Sequence, residues 1–469
     1  MELLVEILTS AFWIILAITI LVFIHELGHF LSAKLFGMRV ERFSVGFPPK
    51  LFGRTVGDTE YVVGATPLGG YVKISGMIDE SMDTDYQQSE PKPWEFRSKP
   101  VWQRIVVITA GVIFNVILAA IIFSGLKITY GETYIPAENI ESVYVDPGSV
   151  AYEMGLRTGD RITAVNGNPV EQQGDLRDMS ALLADTLTVT VQRDGQQRTF
   201  KGPEDIMTQV NRAGGGLGID FLPPLVGGIT SGSPADRAGL RPGDRILSVS
   251  SDSVRFWMEL SNRIQATGGD TVAVRWRRPD SLQVDTLGAG FIRSTPEGGL
   301  YQARLAAESS DDRERYLIGI QSPSPDMLAQ EFGVRKRTYG PGEALVAGAE
   351  QTWVTGKNIV VSLKRIITGR DNLRENLGGP VMVAQITQQA AEAGPDAFWN
   401  IVALLSITLA IMNILPIPAL DGGQLVFLLY EGITRRKPSV RVRMAAQQIG
   451  MILLIGLMAF LIFNDILRL

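Results

Sequence analysis

The stretch Phe23-Ile24-His25-Glu26-Leu27-Gly28-His29-Phe30-Leu31 decides how this chain of 469 residues is read. It holds both of the histidines in the sequence. Histidines four apart stand one above the other on a helix, so two imidazoles can converge on one metal ion, and Glu26 sits close enough on the same turn to hold an attacking water. The chemistry this points to is zinc-activated hydrolysis. The surroundings sharpen the reading. Ala11 to Phe23 is apolar apart from Thr19, and apolar positions continue through Leu27, Phe30 and Leu31 to Leu35. That length spans a bilayer, where ionisable groups are costly unless they pair or bind something. An inert polar cluster packed between helices is the competing reading at this stage.

Working outward, the first span runs from about Ile7 to Leu35, and three more apolar segments follow at Ile105 to Leu126, Phe398 to Leu415 and about Ile449 to Phe463. The last is short, and Met444 to Gln448 can extend its helix to spanning length. No basic segment precedes the first span and no small-residue cleavage pattern follows it, so it reads as a retained helix rather than a removable signal peptide. Lys34, Arg39 and Arg42 follow the first span, Lys92, Arg97, Lys99 and Arg104 precede the second, and Arg435, Arg436, Lys437, Arg441 and Arg443 lie between the third and fourth. The positive-inside rule therefore puts both termini and the long central region outside, with the loops after spans one and three in the cytoplasm.

This topology places His25 and His29 in the cytoplasmic half of an inward-running helix. The third helix also runs inward, and near its inner end stands Asn413-Ile-Leu-Pro416-Ile-Pro418-Ala-Leu-Asp421-Gly422-Gly423. Two prolines interrupt the helix and free backbone polar groups, which is tolerated at membrane depth only against protein or a watery cavity. Asp421 arrives at a depth comparable with the histidines and is read as the third ligand of a two-His, one-carboxylate site with a position open for water. The alternative for Asp421 is an ordinary turn or helix-capping aspartate before Gly-Gly.

Between the second and third spans an internal repeat organises the chain. Gly155-Leu-Arg-Thr-Gly159-Asp160-Arg-Ile162-Thr-Ala-Val165 returns as Gly239-Leu-Arg-Pro-Gly243-Asp244-Arg-Ile246-Leu-Ser-Val249. Small-residue turns precede each copy, and strand-like alternation follows at Leu187 to Gln192 and Thr271 to Trp276. The Gly-Asp turn reads as a structural device, and no nucleophile or metal cluster is visible in these β-rich modules. The repeat resembles the PDZ domain, a fold that captures peptide at a sheet edge. Gly216, Leu217, Gly218 and Ile219 resemble the carboxylate-binding loop and strand of the second module. Peptide capture and a steric filter or spacer both remain open for these modules.

On the inner side, Val40 to Gly46 and Tyr61 to Ser75 are rich in β-branched residues and glycine, and the second stretch reads as a short hairpin or sheet near the membrane. It either holds an unwound substrate segment at its edge or simply plugs the site. In the second span, Gly111 and Asn115 suit close helix packing and an interhelical hydrogen bond, with Asn115 stabilising the reacting carbonyl as the functional alternative. Leu345 to Ile367 has the pattern of an amphipathic helix at the outer membrane surface. A formal charge of -5 without a basic block excludes nucleic acid as an expected partner. Cysteine is absent, which removes disulfides and thiolate ligands and leaves His, Asp and Glu to hold a metal.

His25-Glu-Leu-Gly-His29, Gly111-x-x-x-Asn115, the Asn413 to Gly423 motif and the two PDZ-like modules together resemble the site-2 protease family of intramembrane zinc metalloproteases, across essentially the whole chain. The resemblance implies Zn2+ held by His25, His29 and Asp421, Glu26 as catalytic base, and support for substrate or intermediate by Asn115 and Asn413. It also implies substrates that are single-span membrane proteins already shortened on the outer side, foremost an anti-sigma factor in envelope-stress signalling, with leftover signal peptides a second class. Outer modules that exclude intact substrates by size are part of the same implication.

The expected fold class is a multi-pass α-helical membrane protein with four transmembrane helices, an inner membrane-associated β-hairpin region and two β-rich PDZ-like domains. Its segments are a first span with the zinc motif (1–36), a cytoplasmic-side loop with the hairpin (37–100), a second span (101–126), two PDZ-like domains (127–220 and 221–310), a linker with the amphipathic region (311–395), a third span with the ligand motif (396–425) and a fourth span (440–465). The expected setting is the bacterial inner membrane, with both termini and the PDZ-like domains periplasmic and the protein acting as a monomer. A catalytically silent membrane scaffold that binds peptides through its PDZ-like domains is the alternative. A zinc-linked transporter is disfavoured because no alternating repeat is visible among the four spans.

Overall fold

The computed structural model describes residues 2–77, 90–177, 179–184, 186–213, 216–279, 290–310, 315–372 and 378–467. The chain forms two compact units, one from Met1–Glu132 with Thr338–Leu469 and the other from Thr133–Arg337. In the first unit four helices are long and apolar enough to cross a membrane, over Ala11–Leu35, Val101–Thr129, Pro395–Ile414 and Val440–Ile466. Its elements are α1 (Glu2–Leu35), β1 (Val40–Val56), β2 (Thr59–Ile74), α2 (Val101–Thr129), α3 (Pro341–Ile367), α4 (Pro380–Ala393), α5 (Pro395–Ile414), α6 (Asp421–Thr434) and α7 (Val440–Ile466). The last helix starts earlier than its hydropathy suggests because the Ser439 hydroxyl accepts from the Val442 amide and caps it.

Helix α2 is the hub. Ala119 and Phe123 pack with Ala403 and Ile407 of α5, while Ala17 and Leu21 of α1 pack with Phe398 and Val402. A third apolar cluster joins Ala33 of α1, Phe43 and Val72 of the sheet, Val107 and Ile108 of α2 and Leu428 of α6. At the start of α2 the Arg104 guanidinium donates to both carboxylate oxygens of Glu431, at 3.0 and 2.7 Å. Burial alone would raise the Glu431 pKa, and the paired Arg104 overcomes it and holds it below the usual carboxylate range. The amphipathic reading of 345–367 corresponds to α3, whose Gly348 packs on Ser124 of α2 while Leu345, Val346 and Trp353 stay exposed.

The two strands of the inner stretch pair antiparallel over a far greater length than a short hairpin. Arg42 to Val45 pair on one side with Gly70 to Lys73 and on the other with Glu60 to Val63, while Phe52 to Val56 pair with Thr59 to Val63. Each long strand has doubled back, so the pair forms a four-ply sheet. The bend in β1 is possible because Gly46, at φ +91°, faces Gly64, where a Cβ would fall 2.8 Å from the Gly64 carbonyl oxygen. Gly70 lies on an outer ply of this sheet and against α1.

In the second unit the repeat produces two related sheets. One has the order Asn168–Pro169, Arg161–Val165, Thr188–Arg193, Gln196–Lys201, and the other runs Asp252–Ser253, Arg245–Val249, Thr271–Arg278, Gly298–Ala306, Phe291–Thr295. The repeated aspartates have a structural task, as their sequence context suggests. Asp160 accepts from the Arg157 amide and the Arg193 guanidinium, and Arg193 also donates to the Gly155 carbonyl. Asp244, Arg241, Arg278 and Gly239 repeat the arrangement.

One assignment is corrected. Gly216 to Ile219 belongs to the first copy, because Ile219 pairs with Val145 and the Leu217 and Gly218 carbonyls accept from the Ala151 and Asp146 amides. The second copy has its own version at Ile318-Gly319-Ile320, whose carbonyls accept from Ala235 and Thr230 and whose Ile320 pairs with Ile229. Each module is thus completed by a strand at its C-terminal end. The second module therefore extends past residue 310, into the segment read as linker. Its helix Trp257–Gln265 is tied to the preceding strand Arg315–Leu317, since the Gln265 amide donates to the Tyr316 carbonyl at 2.7 Å and accepts from its N–H at 3.0 Å.

Candidate metal centre

His25 and His29 stand on one face of α1, as the four-residue spacing requires, and both are buried. Helix α5 ends at Ile414, and the Pro416 and Pro418 segment turns the chain with Ala419 at φ +88°. Asp421 then opens α6 as its first residue. The expected break in the third span is therefore real, and it is what turns Asp421 back toward α1. Asp421 Oδ2 lies 3.0 Å from His25 Nε2 and 3.4 Å from His29 Nε2, and the two Nε2 atoms are 3.2 Å apart. Among the described residues this is the one group of His, Asp and Glu ligand atoms gathered within reach of a single ion.

The triangle fits zinc. Tetrahedral Zn2+ with bonds of about 2.0–2.1 Å sets neighbouring donors about 3.3 Å apart, close to all three observed edges. Three lone-pair-bearing atoms turned toward one point in a buried site repel one another unless a cation or protons intervene. His29 Nδ1 donates to the Val107 carbonyl at 2.8 Å, which leaves its Nε2 lone pair facing the triangle. Glu26 is half-buried on the neighbouring position of α1, and a Cβ on Gly70 would lie 3.6 Å from its Cγ, so the sheet passes directly beside it. Asn413 Nδ2 is 3.4 Å from His25 Nε2, on the triangle side, while Asn115 Nδ2 is 3.4 Å from His25 Nδ1, on the far side of the ring.

Two glycines allow this assembly. A Cβ on Gly28 would meet the Ala110 carbonyl oxygen at 2.5 Å, and one on Gly111 would sit 2.6 Å from His29 Nε2 and 2.7 Å from His25 Cε1. The α1–α2 crossing is therefore tight at the height of the imidazoles. The Val107 carbonyl, the Arg104–Glu431 pair and the Asp465 carboxylate that caps α4 through the amides of Gly379, Val381 and Met382 escaped sequence reasoning. The first is a backbone atom without a side-chain signature, and the others join positions far apart in the chain.

A profile of peptidase family M50 matches residues 13–457. The chain belongs to peptidase family M50. It is similar to the regulator of sigma-E protease RseP of Escherichia coli K12, at 32% identity over 470 residues, covering 97% of this chain and 98% of that protein. The RseP of Salmonella typhimurium 14028s is also 32% identical, over 467 residues and the same shares of both chains. A relative in Neisseria meningitidis serogroup A that bears a zinc-metalloprotease name is 31% identical over 468 residues, 97% of this chain and 98% of its own. Among solved structures, the PDZ domain of an SdrC-like protein from Listeria monocytogenes aligns with 21% of this chain and 84% of its own length at 19% identity, with a TM-score of 0.16, too low to assign a fold. The M50 chain described here is a zinc metalloendopeptidase of the site-2 protease type, with four candidate membrane-spanning helices.

For this M50 protease, Gly111→Ala is expected to force α1 and α2 apart at the imidazoles. Overpacking of this kind costs about 1–3 kcal/mol, so zinc affinity should fall roughly tenfold to a hundredfold. Chelator competition on the full chain in nanodiscs reads this directly, and unchanged affinity would show that the histidines do not depend on the close crossing.

Proposed function

We propose that this protein cleaves transmembrane segments of single-span membrane proteins whose outer portion has already been removed, with an anti-sigma factor in envelope-stress signalling as principal substrate and remnant signal peptides as a second class. The observation that carries the reading is the meeting of His25, His29 and Asp421 within a bundle of apolar, bilayer-length helices. The near full-length similarity to proteins named as regulators of sigma-E protease supports the signalling assignment. The charge distribution along the chain supports an inner-membrane protein with both termini and the 133–337 region periplasmic. In this reading it acts as a monomer.

His25, His29 and Asp421 hold the metal. When bound, zinc supplies Lewis-acid polarisation of the scissile carbonyl and lowers the pKa of its water. Glu26 takes the proton of the attacking water and delivers it to the leaving amide nitrogen. Asn413, beside His25 Nε2, supports the reacting carbonyl through its side-chain N–H donors. A substrate helix must be unwound before its peptide bonds are reachable, and the outer ply of the sheet at Gly70, next to Glu26, is suited to hold the extended segment by strand addition.

The two modules of the 133–337 region are read as PDZ-like. Leu217 and Ile219 line an apolar pocket with Ile162, Leu182 and Val189, which makes Gly216 to Ile219 the candidate peptide-binding loop.

The test is cleavage of a single-span substrate in nanodiscs, with its outer portion intact or shortened. Cleavage inside the span, favouring the shortened form, lost on chelation and restored by zinc, is expected. Binding without zinc-dependent cleavage would instead identify a scaffold.

A further inference from the structure

The two imidazoles of the candidate centre are braced from one helix face. Val107, Gly111 and Asn115 follow one another at four-residue intervals along α2, so they form a single stripe. Gly111 leaves the space that the rings fill, and the Val107 carbonyl accepts the outer Nδ1 proton of His29. At the other end of the stripe, Asn115 is completely buried and faces Nδ1 of His25 at 3.4 Å through Nδ2. Its Oδ1, also buried, has no hydrogen-bond partner.

As it stands, this contact pairs two donors. His25 Nε2 is turned toward Asp421 and His29, and as a ligand atom it must carry a lone pair, which puts the proton of the neutral ring on Nδ1. An N–H on Nδ1 then meets an NH2. An amide oxygen and nitrogen have nearly the same shape and are assigned from their partners, and a half-turn of the Asn115 amide replaces the donor–donor contact with a hydrogen bond. It gives the Nδ1 proton an acceptor and gives the buried Oδ1 a partner in the ring N–H, while Nδ2 takes the place that Oδ1 held. The Asn115 backbone is fixed independently, because its carbonyl accepts from the Ser406 hydroxyl of α5 at 2.8 Å.

We infer that Asn115 is a positioning residue whose amide oxygen accepts the Nδ1 proton of His25 and aims Nε2 at the metal, rather than a group that touches the substrate. The inference rests on the proposed zinc site. It assigns to Asn115 the part that the Val107 carbonyl plays for His29, so α2 sets the orientation of both rings.

The test compares Asn115→Leu and Asn115→Asp in the full chain, with chelator competition for zinc and the visible spectrum of the cobalt-substituted protein as readouts beside turnover. Asn115→Leu is expected to weaken zinc binding about tenfold to a hundredfold and to alter the cobalt spectrum. Asn115→Asp, which can still accept from Nδ1, is expected to restore wild-type affinity and to keep turnover. Where Asn115→Leu does not fold, Asn115→Ala takes its place, and Ser406→Ala controls for loosening of the α2–α5 contact. Wild-type zinc affinity in Asn115→Leu with turnover lost in both variants would overturn the inference and move Asn115 to the reacting carbonyl. Zinc binding that is indifferent to His25→Ala and Asp421→Asn would instead overturn the underlying site.

Discussion

Glu26→Gln is expected to lower turnover by roughly 10² to 10⁴, the usual contribution of general acid–base catalysis, while zinc content stays at the wild-type level. The separation of these two readouts is the point of the experiment. Glu26 is on the same turn as His25 but is not among the three donors that meet, and glutamine preserves its volume and hydrogen-bonding reach. What the substitution removes is the capacity to take a proton from water and return it to the leaving nitrogen. Single-turnover cleavage in nanodiscs, alongside metal analysis of the same preparation, checks both halves. Proteolysis at the wild-type rate would eliminate Glu26 as the base.

Asp421→Asn should behave differently, losing zinc and cleavage together. Asp421 is the one anionic donor in the triangle, and an amide oxygen is a much poorer ligand for a divalent ion than a carboxylate. Loss of a donor should exceed the roughly 10- to 100-fold penalty typical of an outer-shell partner, so affinity is expected to fall by more than about a hundredfold. Asparagine keeps the size and shape of Asp421, and the N-cap of α6 is Leu420, so the start of α6 should survive. Circular dichroism and thermal unfolding of the full chain establish that it does. An Asp421→Asn protein that keeps stoichiometric zinc would remove this residue from the ligand set.

The helices and the convergence of His25, His29 and Asp421 were legible because their signals are local and periodic. Apolar runs mark the four spans, His25 and His29 carry their own geometry, and Pro416 with Pro418 announces the break that brings Asp421 round. Features made by residues distant in sequence were not. Arg104 reads as one more cationic flank of a span, yet it is buried in a pair with Glu431, and no local pattern links them. The doubled-back sheet depends on two glycines meeting across strands, whereas β-branched and glycine content alone describes a short hairpin or sheet. Gly216 to Ile219 was given to the wrong module for a topological reason. The strand closing each module follows its repeat motif, and proximity in sequence to the next copy misleads. The position of Asn115 in the second span marks it as notable, but its task depends on which nitrogen of His25 it faces, and the helix crossing sets that.

His25 and Asp421 are 396 positions apart along the chain, so the three converging side chains can meet only late in synthesis. During synthesis α1 enters the membrane with two histidines and no carboxylate partner, and it remains so until α5 and the start of α6 have emerged. Zinc affinity of the paired histidines alone is far below that of three converging donors. Until Asp421 has been made, the proposed site is therefore one donor short.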